Sequence, residues 1–158
     1  MKKPKGKGFT IIELLVVIAV IALLASIILI NVNYIRAQSA DSKTKAQMSA
    51  MRAASANYYD SHDNNYGPDN NSADCAAGST GMAQDVDSGF MSLVLASNYT
   101  DSIPPTCTTD GTVTDPATKW SAYKQLKANT NYFCVDSAGA AKEEPDTWTP
   151  PAGGDPCP

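Results

Sequence analysis

Residues 9–35 hold 22 apolar side chains in 27 positions, and that run decides what this chain can fold into. Its central part, residues 14–30, is interrupted only by Ser26. Extended back to Phe9 it is 22 residues long, with Glu13 as its single charge. A helix of that length measures about 33 Å, enough to cross the hydrocarbon core of a bilayer. Gly and Pro, the residues that interrupt helices, are absent from residues 9–66. Lys2, Lys3, Lys5 and Lys7 precede the run, and only Arg36 stands close beyond it. That asymmetry predicts an N-terminus in the cytoplasm and everything after the span outside.

A secretory signal peptide has the same basic start and apolar middle, and small residues at 22–26 imitate its cleavage site. Two features oppose that reading. The run is long for a signal core, and it continues unbroken into residues 34–59, which are rich in Ala, Gln, Lys, Met and Arg. Tyr34, Ile35, Gln38, Ser42, Met48, Met51, Ser55 and Tyr58 recur there at three- and four-residue steps and predict a weak packing stripe. The expectation is one helix of about fifty residues, near 75 Å long, whose first half lies in membrane. Its second half must lean on the C-terminal part of the chain.

That C-terminal part has little to build a core from. Only ten of the 123 residues from Arg36 onward are Leu, Ile, Val or Phe, which excludes a large enzyme core. Residues 60–158 hold four lysines against fourteen acids, a net of −10. An acidic head of that kind repels phosphate backbones and gives no support to general nucleic-acid binding.

Glu13 is the charge out of place. At the bilayer centre a carboxylate costs about 2.5–3.5 kcal/mol, less toward the interface. The leader's lysines serve it poorly, because Gly6 and Gly8 loosen that stretch. A cut after Gly8 would expose a new amine on Phe9, and a neighbouring subunit's amine would then neutralise Glu13 and reward association in register.

The segment KGKGFTIIELLVVIAVIALLASIILI resembles the processing and polymerisation signature of type IV pilins and type II secretion pseudopilins. The resemblance rests on a basic leader ending in Gly8, the Phe9-Thr10 start, Glu13 as fifth residue after the cut, and the unbroken apolar run. It implies cleavage between Gly8 and Phe9 by a membrane prepilin peptidase and N-methylation of Phe9. It also implies assembly, through the helix, with identical or related subunits and a filament machinery. Tyr58-Tyr59-Asp60-Ser61-His62 with Tyr66-Gly67-Pro68 resembles the helix end and adjoining loop of the same proteins. Phe133-Cys134-Val135-Asp136-Ser137-Ala138-Gly139 is similar to a head strand and turn. Many relatives place Gly or Pro inside the apolar run, where this chain has Ala22 and Ile30.

These features together predict an α+β chain in which a long N-terminal helix packs on a small antiparallel sheet. Its parts are a leader at 1–8, a membrane and polymerisation segment at 9–35, an exposed half-helix at 36–60 and a head at 61–158. The resemblance implies the function of a structural subunit, with no enzymatic activity. It also implies a place in the cytoplasmic (inner) membrane and then in an extracellular or periplasmic filament. The alternative, a single-span anchored binding module that never polymerises, gives Gly8, Phe9 and Glu13 no role.

Cys75, Cys107, Cys134 and Cys157 all lie beyond the helix. An even number in a translocated, core-poor head predicts two disulfides. Of three connectivities the preferred one pairs Cys75 with Cys107 and Cys134 with Cys157. Each bridge would stabilise by roughly 3–4 kcal/mol. With no C-x-x-C spacing and one histidine, a zinc cluster is not expected, and no cofactor is required. A short helix is expected at 87–97, a strand at 112–114, and a hairpin of 120–126 with 132–135 turning at 129–131. Residues 143–158 read as loop.

Asp60, Asp63, Asp69 and Asp74 form one acidic group, and Glu143, Glu144 and Asp146 another. Neither fits an EF-hand. The resemblance to pseudopilins, some of which hold calcium in a head loop, makes the second group the calcium candidate. Ser61-His62-Asp63 is contiguous and cannot converge as a hydrolase triad. Trp120, Tyr123 and Tyr132 are expected to pack on the helix more than to form a binding stripe.

Overall fold

The computed structural model describes residues 8–67, 81–111, 115–150 and 153–158, with the backbone alone at 29–31. The chain divides into two units, residues up to Ala37 and residues from Gln38. Helix α1, Ile11–Ser61, begins in the first and ends in the second. In the first unit the helix is apolar all round. One 18-residue window has a mean hydropathy of 3.1 with none of it buried, and Leu14, Ile18, Ile21, Leu24 and Ile28 all stand more than half exposed. In water such a surface has nothing to hold it, whereas a bilayer or a bundle of like helices satisfies every face.

In the second unit α1 buries Asp41, Thr44, Met48, Met51, Ser55 and Tyr58. Those steps of three and four residues put them on one face. The expected stripe is corrected at its start. Tyr34, Ile35, Gln38 and Ser42 are exposed, and the buried line enters through two polar residues instead. Asp41 is buried because both its oxygens are occupied: Oδ1 accepts the Lys127 amide and Oδ2 the Ala128 amide, each at 2.7 Å. These amides lie in the loop joining the central strands, so one carboxylate pins helix to sheet.

The sheet has four antiparallel strands in the order β1-β2-β3-β4: Thr106–Thr109, Trp120–Gln125, Tyr132–Asp136 and Ala141–Glu144. The expected hairpin is β2–β3, with Tyr123 opposite Cys134. The tail reading of 143–158 is corrected at its start, since Glu143 and Glu144 belong to β4 and pair with Phe133 and Tyr132. Nothing in Ala-Lys-Glu-Glu favours a strand; pairing with β3 makes it one. The expected helix at 87–97 is a five-residue helix α2, Phe90–Val94, with 3-10 turns on either side at Gly81–Gln84 and Ala96–Asn98. The strand expected at 112–114 lies outside the described residues.

Alternation along the strands separates two faces. Trp120, Ala122, Phe133 and Val135 join Met48, Met51, Ala54 and Tyr58 of α1 and Phe90 and Val94 of α2 in one core. Trp120 is wholly buried and meets Phe90 edge-on, with ring centres 5.6 Å apart. Trp120, Phe90, Met48 and Met51 are the core's largest fully buried side chains. The opposite face carries Tyr123, Tyr132, Cys134 and Asp136, covered by the C-terminal segment. Trp148 sits 5.9 Å from Tyr123 and 5.8 Å from Tyr132. Cys157 is disulfide-bonded to Cys134, and its amide donates to Asp136 Oδ2 at 2.8 Å. Trp120 therefore packs toward the helix, while Tyr123 and Tyr132 do not. The three never share a stripe, because β2 turns Trp120 and Tyr123 to opposite sides.

Candidate functional site

Gly8 and Phe9 precede the first turn of α1. Gly8 is exposed, with open space where a Cβ would stand, and Phe9 is 84% exposed. The bond between them stands clear of folded structure. One residue further on, Thr10 caps the helix. Its Oγ1 accepts the Glu13 amide at 3.2 Å, while Glu13 Oε2 accepts the Thr10 amide at 2.9 Å and the Thr10 hydroxyl at 3.0 Å. This is a reciprocal capping box, in which Thr-x-x-Glu satisfies two of the amides that a helix start leaves orphaned. The first backbone turn closes with the Leu14 amide on the Thr10 carbonyl.

Glu13 thus has a task inside its own chain that reading it as a misplaced charge did not find. The signal was present: a threonine, two residues, a glutamate and then an apolar run. The geometry also bears on the proposed cut. Both groups of the box lie on the Phe9 side of the bond, and the Thr10 amide persists after cleavage. The box engages Oε2, so a cation can approach Oε1 without dismantling the helix start.

In the head, Cys134 and Cys157 are bonded, Cys107 is disulfide-bonded, and no described cysteine is free. Cys75 lies outside the described residues, as do Asp69 and Asp74. The structure does not bring Glu143, Glu144 and Asp146 to one point. Glu143 pairs with Lys45 of α1, Glu144 with Lys142 at 3.3 Å, and Asp146 accepts the Thr130 hydroxyl at 3.0 Å. Lys45 holds the Glu143 carboxyl below its ordinary range. Among the described residues no group of three His, Cys, Asp or Glu side chains is placed to hold a metal ion.

Ser61 and His62 do touch, with Oγ 2.9 Å from Nδ1, a contact that their adjacency in sequence did not suggest. The same Nδ1 faces the Tyr58 carbonyl at 3.0 Å, and Ser61 Oγ donates to the Asn57 carbonyl. The histidine ring stacks on Tyr58 at 3.9 Å. Both side chains close the end of α1, and Asp63 does not complete a triad.

The acids that matter most to the head carry no sequence signal beyond a charged surface. Asp110 accepts the Thr118 and Lys119 amides at 2.7 Å each and the Thr118 hydroxyl at 2.6 Å. Burial pushes its pKa up, yet these bonds outweigh burial and hold it below the usual carboxylate range. Asp136 binds the Ala140 and Cys157 amides. Asp101 pairs with the buried Lys124 at 2.8 Å. Together with Asp41, these carboxylates fasten loops that the scarce aliphatic residues cannot hold.

Residues 3–29 match the family described as the prokaryotic N-terminal methylation motif. Over 60 residues, 38% of this chain, the sequence is 35% identical to the type IV major pilin protein PilA of Myxococcus xanthus (strain DK1622). The match spans 27% of that relative's length. No solved structure matches. Over its N-terminal part the chain is thus similar to type IV pilins, and its fold is α+β, a long N-terminal helix followed by a small antiparallel sheet.

Proposed function

We propose that this chain is a structural subunit of a type IV pilus or pseudopilus-like filament. The observation that carries the proposal is the coincidence of the methylation motif at 3–29 with a helix whose apolar residues are exposed on every side. In this reading a membrane prepilin peptidase cuts between Gly8 and Phe9 and the new Phe9 amine is methylated. The span first anchors the subunit in the inner membrane, with its N-terminus in the cytoplasm. Helices of related subunits then replace lipid around it as the filament forms, and the head faces outward. Glu13, half satisfied by Thr10, takes the Phe9 amine of a neighbour on its remaining oxygen, which removes an unpaired ion from an apolar surrounding. The role of the chain is architectural and the head requires no cofactor.

Co-expression with and without an active prepilin peptidase tests this. The expected intact mass lacks the first eight residues and gains about 14 Da for one methyl group. A mature chain that starts elsewhere, or normal filament incorporation by Glu13→Ala, refutes the respective part.

A further inference from the structure

A cleft of about 280 Å³ opens where five segments of the head meet, and polymerisation gives it no task. Tyr59 from the last turn of α1 and Tyr66 from the loop beyond it form one wall, with ring centres 4.9 Å apart and planes tilted by 40°. Thr118 and Lys119 come from the segment before β2, Ser137 from the β3–β4 turn, and Gly154 from the tail. The floor is fixed. Gly154 is buried at φ +71°, and a Cβ there would lie 2.6 Å from the Asp110 amide nitrogen. Ser137 Oγ accepts the Trp120 amide at 3.3 Å, which leaves its own proton to donate outward. Burial, then Tyr59 and Asp60, push the Tyr66 phenol up, so it stays a neutral hydroxyl.

Lys119 brings a positive charge to the lining of this cleft, in a head that is otherwise acidic. Fourteen acids face four lysines from residue 60 onward, yet none of the described residues that line the cleft is an acid. Lys119 makes no ion pair among the described residues, and Asp110 behind Thr118 has its oxygens turned to backbone amides and the Thr118 hydroxyl. At about 30 Å³ per water the space holds roughly nine waters, enough for one six-membered sugar ring. We propose that this cleft binds a pyranose ring bearing a carboxylate, a uronate-type sugar. The ring's C–H face lies on the tyrosine wall, its hydroxyls meet Ser137 and Tyr66, and its carboxylate meets Lys119. An aromatic wall, hydroxyls and one ammonium with no ion pair among the described residues are what that ligand needs.

The test uses the full chain in a zwitterionic, sugar-free detergent, with D-glucuronate, D-glucose and inorganic phosphate as probes in ligand-observed NMR. Glucuronate is expected to bind with millimolar affinity and glucose about tenfold more weakly, a difference of one charged contact. Phosphate, which cannot use the tyrosine wall, should bind weakest. Lys119→Gln should abolish the preference for glucuronate over glucose, and Tyr59→Ala should weaken both sugars. Absence of saturable glucuronate binding overturns the proposal. So does glucuronate binding that survives both variants with the fold intact, or phosphate binding as tight as glucuronate. None of these results bears on cleavage or assembly.

Discussion

Removing the Asp41 carboxylate should release the loop at 126–131 from the helix. In the structure that side chain is 5% exposed and accepts two amide protons at 2.7 Å. A hydrogen bond to a charged group contributes about 1.5–3 kcal/mol, so two give about 3–6 kcal/mol. The loop is only part-buried, and water reaches the amides once the side chain is truncated. The expected loss for Asp41→Ala is therefore about 2–4 kcal/mol, against a typical total of about 5–15 kcal/mol. Asp41→Asn keeps one acceptor but sets its own N–H₂ against the second amide, so it should lose nearly as much. Urea unfolding of the full chain in micelles, monitored by tryptophan fluorescence, measures the change. Hydrogen exchange locates it: the Lys127 and Ala128 amides should lose protection, while the Cys157 amide, held by Asp136, should keep it at low denaturant. Ser42→Ala, one position away and exposed, is the control. An unchanged midpoint together with unchanged protection at Lys127 and Ala128 would refute the reasoning.

The same head carries two further expected outcomes. Gly154→Ala places a Cβ 2.6–2.8 Å from backbone atoms at φ +71°, whereas Gly153→Ala at φ +63° meets nothing within 4 Å. Thermal melting should show the first losing well over 2 kcal/mol and the second only about 1 kcal/mol, and equal losses would contradict the close fit of the tail. Asp101 and Asp110 both have pKa values held below their ordinary range, because hydrogen bonds and, for Asp101, Lys124 outweigh burial. A lowered folded pKa stabilises above the unfolded value of about 3.9 and is lost as pH falls through the folded one. Stability should thus stay level from neutral to about pH 5 and decline below about pH 4. Asp110→Asn should flatten that decline, and a slope identical to wild type would show that Asp110 does not contribute to it.

The long helix was legible because composition alone writes it: an apolar run with no breaker, continued by good helix formers. The β2–β3 hairpin was legible from partial alternation around Asn129-Thr130-Asn131. β1 and β4 were not, since Thr-Cys-Thr-Thr and Ala-Lys-Glu-Glu carry no apolar alternation and become strands through their neighbours. The entry of the buried stripe at Asp41 was hidden for another reason. A carboxylate on a helix looks solvated until the amides that occupy it arrive from 86 residues away. At the N-terminus the capping box is readable in the Thr-x-x-Glu spacing of Thr10 and Glu13, whose partner lies three residues back in its own chain.

The way this head uses its acids sets how it responds to ionic strength. Asp41 and Asp136, both buried, face backbone amides at 2.7–2.8 Å, contacts too short and too enclosed for a Debye atmosphere to enter. Lys142–Glu144 is the contrary case, with its lysine 46% exposed, and brine weakens such a pair. The carboxylate-to-amide contacts of these two acids are therefore expected to hold at low and high salt alike.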